Sequence, residues 1–271
     1  MDRLIKGLPC DVATYFEAHH KEMPDTPVRN VSASLYTSVS AVLGTIYQLC
    51  KAPEPCSSQV VGALLRILLD SSVSVFAFCH DPDKRAVLFL DFEAILKLRG
   101  QRRINANVGC PFFPRHKRDE QECRAFEEDT RLAVCRVGRP FLKKKAKNGQ
   151  SEDDLLREAV CPGSNLGAYF HDHWYPEKNR EEVLRYEKME WLDDVMYDWL
   201  CSAVHSDVGA ARVFAGYDRT NTVRIASWFW GASVWRLVQI LGVPLPQNLA
   251  DRLRDECYVP MQWQRQPAGS T

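Results

Sequence analysis

Two opposite charges stand inside the most apolar stretch of the chain. Residues 62 to 80 read GALLRILLDSSVSVFAFCH, and Arg66 and Asp70 lie four residues apart within it. On a helix, positions i and i+4 share a side, and the apolar flanks predict a pair that is at least half buried. Two charges leave water only at a cost of several kcal/mol unless each is paired and hydrogen-bonded. Such a pair has two uses. It can fix the packing of neighbouring helices, or Arg66 can present its guanidinium to an anionic ligand while Asp70 holds its orientation.

Three further groups could do chemistry. Tyr197, Cys201 and His205 follow one another at four-residue spacing in YDWLCSAVHSD, so on a helix they form one polar stripe. His205 there is either an imidazolium stabilised at a helix end or a general acid/base facing phosphate. His171 and His173 flank Asp172 in an HxH pattern that suits metal ligation, but no second ligand cluster accompanies them, so the alternative is a turn held by Trp174. Basic residues crowd one stretch: Arg102 and Arg103 in RGQRR, Arg115, Lys117 and Arg118 in PRHKR, and Lys143, Lys144 and Lys145 in LKKKAK. With Phe112, Phe113 and Phe141 between them, they could follow the backbone and bases of a single-stranded nucleic acid. The bland reading is a solvated loop balanced by the acids at 119 to 129.

These residues need elements to hold them, and the periodicity is helical almost throughout. Val31, Leu35, Val39, Val42 and Ile46 recur at three- and four-residue spacing, which predicts a helix over 28–50. A second helix starts near Ser57 or Ser58 and ends at Asp81-Pro82. A third places Val87, Leu88, Phe92, Ile95 and Leu96 on one face, with Gly100 as its C-terminal cap. A polar helix is expected from Asp119 to about Arg136. Ser151 and Asp154 form a capping box. A long helix over 181–207 puts Leu184, Trp191, Leu192, Val195, Met196, Trp199 and Leu200 on an apolar stripe. Residues 222–242 are apolar nearly all round and predict the central helix. A short last helix spans NLADRLRDEC.

The composition narrows the class. The 271 residues carry 35 basic and 35 acidic side chains, which argues against a dedicated nucleic-acid binder. The ten cysteines are scattered without a CxxC pair, as expected of thiols in a reducing cytoplasm. No signal peptide or uncharged membrane-length run is seen. The expected architecture is all-α: a single-domain antiparallel helical bundle over 1–271, with a basic, loop-rich insertion at 99–150 and a frayed tail at 258–271.

The helix with Arg66 and Asp70, the His173-Trp174 turn and the later helix with Tyr197, Cys201, Ser202 and His205 together resemble a bacterial all-helical family of unknown function. The resemblance covers residues 30 to 245 and implies the same fold, but no activity. The plan is also similar to the helical ribonucleases of toxin and antiviral systems, marked by an Arg four to six residues before a His. No Arg stands there before His205, so that likeness implies a composite site. In it His205 is the acid/base, Arg66 stabilises phosphate charge and the basic loops dock RNA. Two functions follow. One is a regulatory or binding protein with a buried polar centre, formed by Arg66, Asp70, Tyr197 and His205, that holds an anionic ligand. The alternative is a metal-independent ribonuclease. Neither calls for a cofactor or a metal. The partners they admit are an anionic ligand or RNA, and a second copy or a partner protein.

Overall fold

The computed structural model of the chain describes residues 7–52, 58–106, 120–143, 150–177, 179–197, 200–201 and 219–257. The expected loops at 107–119 and 144–149 and the expected tail at 258–271 lie outside these residues. The described residues are helical apart from turns and one isolated bridge between Leu142 and Phe170. The chain is all-α, as its periodicity predicts. It groups into two compact units, one of residues 1–83 with 177–271, the other of residues 84–176. The residues expected to form a basic insertion fall in the second.

The first unit is built on helix α9, Arg219–Leu241. Around it stand α1 (Leu8–Glu22), α2 (Pro27–Lys51), α3 (Ser58–His80), α8 (Arg180–Tyr186) and α10 (Gln247–Cys257). α9 packs on α2, α3 and α10; α3 also meets α2 and α8, and α1 meets α2 and α10. The expectation of a central helix holds, because α9 buries Val223, Ala226, Phe229, Trp230, Val234 and Leu237 on several faces. Small polar residues line its crossings. Ser72 of α3 donates to the Phe229 carbonyl at 3.4 Å, and the Trp230 indole donates to Ser40 of α2 at 3.0 Å. Gly231 brings α10 close: a Cβ there would overlap the Cβ of Cys257, so only glycine allows this approach. The buried Cys257 thiol is pushed up to about 12 by burial. By length and hydropathy, Gln59–His80 is the one described helix that could cross a membrane. Here it is a core helix, with Leu65, Leu68, Leu69, Val75 and Phe76 buried.

Helix starts follow local signals. Thr26 caps α2 by accepting from the Arg29 amide at 3.2 Å, with Pro27 in the first turn. Gly242 leaves α9 in the left-handed region at φ 62°.

In the second unit, α4 (Pro82–Ala106) runs straight through Gly100. Gly100 is therefore not the expected cap; it sits at an uncrowded helical position. The buried face of α4 is Ala86, Phe92, Ile95 and Leu98, while Val87 and Leu96 are exposed. The expected stripe included those two because apolar residues occur on both sides of the helix. α5 is Glu120–Val137, close to the polar helix expected, and packs on α6, Glu152–Val160. The Ser151–Asp154 capping box is present in full. α7 (Leu166–Tyr169) is one short turn.

Candidate functional site

The cluster that forms around Arg66 starts from the interior spacing of α3. Leu65, Leu68 and Leu69 point into the core, which leaves Arg66 at the core's edge and Asp70 outward. The Arg66 Nε donates to Asp70 Oδ2 at 2.9 Å; the Arg66 side chain is 13% exposed and that of Asp70 52%. The pair, expected to be at least half buried, is buried at one end only. Arg66 is enclosed, but Asp70 faces water, because i+4 on this helix has rotated past the boundary of the core.

Tyr197 and Cys201 reach Arg66 from the second half of the chain. The Arg66 guanidinium donates to the Cys201 sulfur, and its carbon lies 3.4 Å from the centroid of the Tyr197 ring. Burial opposes the charge on Arg66, but hydrogen bonds to Asp70 and Tyr197 outweigh it, and its pKa is raised above the ordinary value. Three of the four expected cluster members, Arg66, Asp70 and Tyr197, are thus brought together. The fourth, His205, lies outside the described residues.

Two members were not foreseen. The guanidinium of Arg180 also lies over the Tyr197 ring. Two guanidiniums this close to one centroid would collide on one face, so the ring is held between them. Arg180 Nε donates to Asp193 Oδ1 at 2.6 Å, and both side chains are largely enclosed. Arg180 is the first residue of α8, whose cap Asn179 accepts from the Glu182 amide at 3.0 Å. No spacing rule links residues 180, 193 and 197, because the expected helix over 181–207 is not continuous. α8 ends at Tyr186. The buried Glu187 carboxylate accepts from Arg236 of α9 at 2.9 Å, and Lys188 turns the chain through the left-handed region at φ 56°. The chain then resumes as a π-helical turn, Asp193–Tyr197. Wide turns of this kind often mark functional sites. The break also removes Trp191 from the expected apolar stripe and leaves it 50% exposed.

The residues expected to bind nucleic acid are placed as follows. Arg102 gives its two terminal nitrogens to the carbonyls of Val160, Cys161 and Ser164, at 2.6–2.9 Å, so it caps the C-terminal end of α6. Burial lowers its pKa, with Arg131 adding to the effect and Glu127 opposing it. Lys143 Nζ binds the Gly167 carbonyl at 3.0 Å and Asp172 at 3.1 Å. Arg103 is exposed on α4. Arg115, Lys117, Arg118, Lys144 and Lys145 lie outside the described residues. The HxH pair sits in a turn, with ring centroids 5.3 Å apart. Trp174 is buried beside it, edge-on to Phe89 at 5.2 Å, so the turn is held by its tryptophan. Among the described residues no group of three or more His, Cys, Asp or Glu side chains gathers to hold a metal.

Fold and cluster together define an all-helical chain whose polar centre is a tyrosine between two carboxylate-held arginines. The chain belongs to the family of unknown function DUF5677, which its residues 29–221 match. Arg66, Asp70, Arg180, Asp193, Tyr197 and Cys201 all fall inside that span. No curated protein and no solved structure matches it.

Proposed function

We propose that this is a binding protein that takes an anionic ligand at Arg66 and Arg180. The observation that carries the reading is the double stack on Tyr197. Each guanidinium is oriented through Nε by its own aspartate and pressed on one face of the same ring. Donors fixed in this way have already lost their rotamer freedom, so an anion meets preorganised N–H edges. The raised pKa of Arg66 keeps its charge at any working pH. The thiols at Cys10, Cys50, Cys79, Cys135, Cys161, Cys201 and Cys257 form no disulfide, which fits a reducing, cytoplasmic setting.

Calorimetric titration of the full chain with inorganic pyrophosphate tests the site. Saturable binding is expected, weakened by about tenfold or more in Arg66→Ala and in Arg180→Ala. No saturable heat, or equal affinity in both variants, would overturn the reading. Total RNA incubated in parallel with wild type and an Arg66→Ala/His205→Ala variant decides the ribonuclease alternative. RNA loss with wild type alone would replace binding by catalysis, with His205 as the acid/base.

A further inference from the structure

The exposed Trp191 opens onto a cleft of about 230 Å³ in the first unit, whose lining includes none of the residues of the arginine cluster. Its lining is Trp191, Leu192 and Met196 from one segment, and Arg224, Ile225, Trp228 and Phe229 from α9. The Trp191 and Trp228 rings lie 5.5 Å apart and tilted by 54°, and Trp228 meets Phe229 edge-on at 5.1 Å. We infer that this cleft is a second ligand site, for a small flat aromatic carboxylate: its ring packs in the recess against the paired indoles, beside Met196 and Ile225, and its charge goes to Arg224.

Charge sets the class. Arg66, Arg180 and Arg236 of this unit are each paired with a carboxylate, from Asp70, Asp193 and Glu187. Arg224 is exposed and makes no hydrogen bond or ion pair with the described residues. Among the described residues it is the one charged side chain lining an otherwise apolar cleft, so an anion there needs none of their carboxylates displaced. Aromatic faces and edges at these separations favour a flat ring by offset or edge-on packing. Met196 adapts its thioether to the ring's outline. A half-exposed tryptophan beside an apolar recess is apolar surface that a ligand removes from water. The volume is below that of most drug-sized sites, which limits the occupant to a one- or two-ring molecule.

The site is tested with 2-naphthoate and its uncharged analogue 2-naphthalenemethanol, titrated calorimetrically into the full chain. Saturable binding of both is expected, with the carboxylate tighter. Arg224→Gln should weaken 2-naphthoate by about tenfold and leave the alcohol within about twofold, since only the charged contact is lost. Trp191→Ala should weaken both, and its partly exposed position lets that variant fold. Absence of saturable binding would overturn the inference, as would an equal loss for both compounds in Arg224→Gln. Self-association in the ultracentrifuge that Trp191→Ala abolishes, without a ligand effect, would assign the face to a second copy instead.

Discussion

In the unit of residues 84–176, Arg99, Arg102 and Arg131 give N–H groups to backbone carbonyls. In the other unit, Arg66, Arg180 and Arg236 give theirs to carboxylates. Arg99 donates to the Phe170 and His171 carbonyls at 3.0–3.1 Å, and Arg131 joins Arg102 on the Val160 carbonyl at 2.9 Å. The charge balance differs accordingly. Burial lowers the pKa of Arg99 and Arg102 by more than their carboxylate neighbours, Asp172 at 3.3 Å and Glu127 at 3.6 Å, raise it. Arg66 is also enclosed, yet its pKa is raised, because Asp70 and Tyr197 outweigh the burial. A carbonyl-bound arginine is tied to fixed main-chain partners, even where a carboxylate also lies beside it, as Asp172, Glu127 and Glu128 lie beside Arg99, Arg102 and Arg131. A carboxylate-bound arginine can pass a donor to another anion. The same residue type therefore serves architecture in one unit and, on our reading, recognition in the other.

The largest test of that contrast is Arg102→Ala. It strips donors from three carbonyls at the end of α6, each bonded by a charged group, and should cost about 3 kcal/mol or more of stability. A urea midpoint equal to wild type would break the comparison. Arg102→Lys should rescue little, because an ammonium cannot span three carbonyls as a planar fork does. Arg66→Ala should cost less, about 1–2 kcal/mol, mainly the lost stacking on Tyr197. The larger loss of a fully buried pair does not apply, since the abandoned Asp70 is 52% exposed and water takes over its carboxylate. Asp70→Asn should cost under about 1 kcal/mol for the same reason. If Asp70→Asn cost as much as Arg66→Ala in the same denaturation series, the pair would be energetically buried after all.

How much of this could be read beforehand depends on range. The α3 pair, the central helix and the Ser151–Asp154 box are local: each rests on residues within one or two helical turns, and each stands in the structure. All-helical character follows from the same periodicity. Arg180 and Asp193 escaped notice because their meeting depends on Lys188 adopting φ 56°, and lysine carries no signal for a left-handed turn. The basic runs misled in part. The sequence shows charge but not its partner, and Arg102 and Lys143 find theirs in carbonyls and a carboxylate more than twenty residues away. Gly100 misled for a related reason: glycine marks a cap only where the backbone leaves the helix, and here it continues.

The smallest expected effect concerns pH and separates the units again. His171 lies in the turn beside His173, Lys143, Asp172 and Arg99. Burial, then His173 and Lys143, push its pKa down, with Asp172 opposing. In the unfolded chain the imidazole takes a proton near about pH 6.5; in the fold it does so only at lower pH. The unfolded state therefore binds more protons between the two values. The contribution of His171 to stability is complete above about pH 6.5 and is lost as pH falls through its folded pKa. Asp172 is also held low: burial raises its pKa, but Lys143, Arg99 and His173 together outweigh it, and its window lies below the ordinary carboxylate range and does not overlap. The guanidinium of Arg66 does not titrate anywhere in this range. Amide exchange in peptides covering 166–177 should accelerate, beyond the intrinsic chemistry, as pH falls from about 7 to about 5. Peptides covering 60–76 should respond less. His171→Asn should flatten the response of the first set alone. If it flattens neither, or if both sets respond equally in wild type, the pH sensitivity does not belong to this turn.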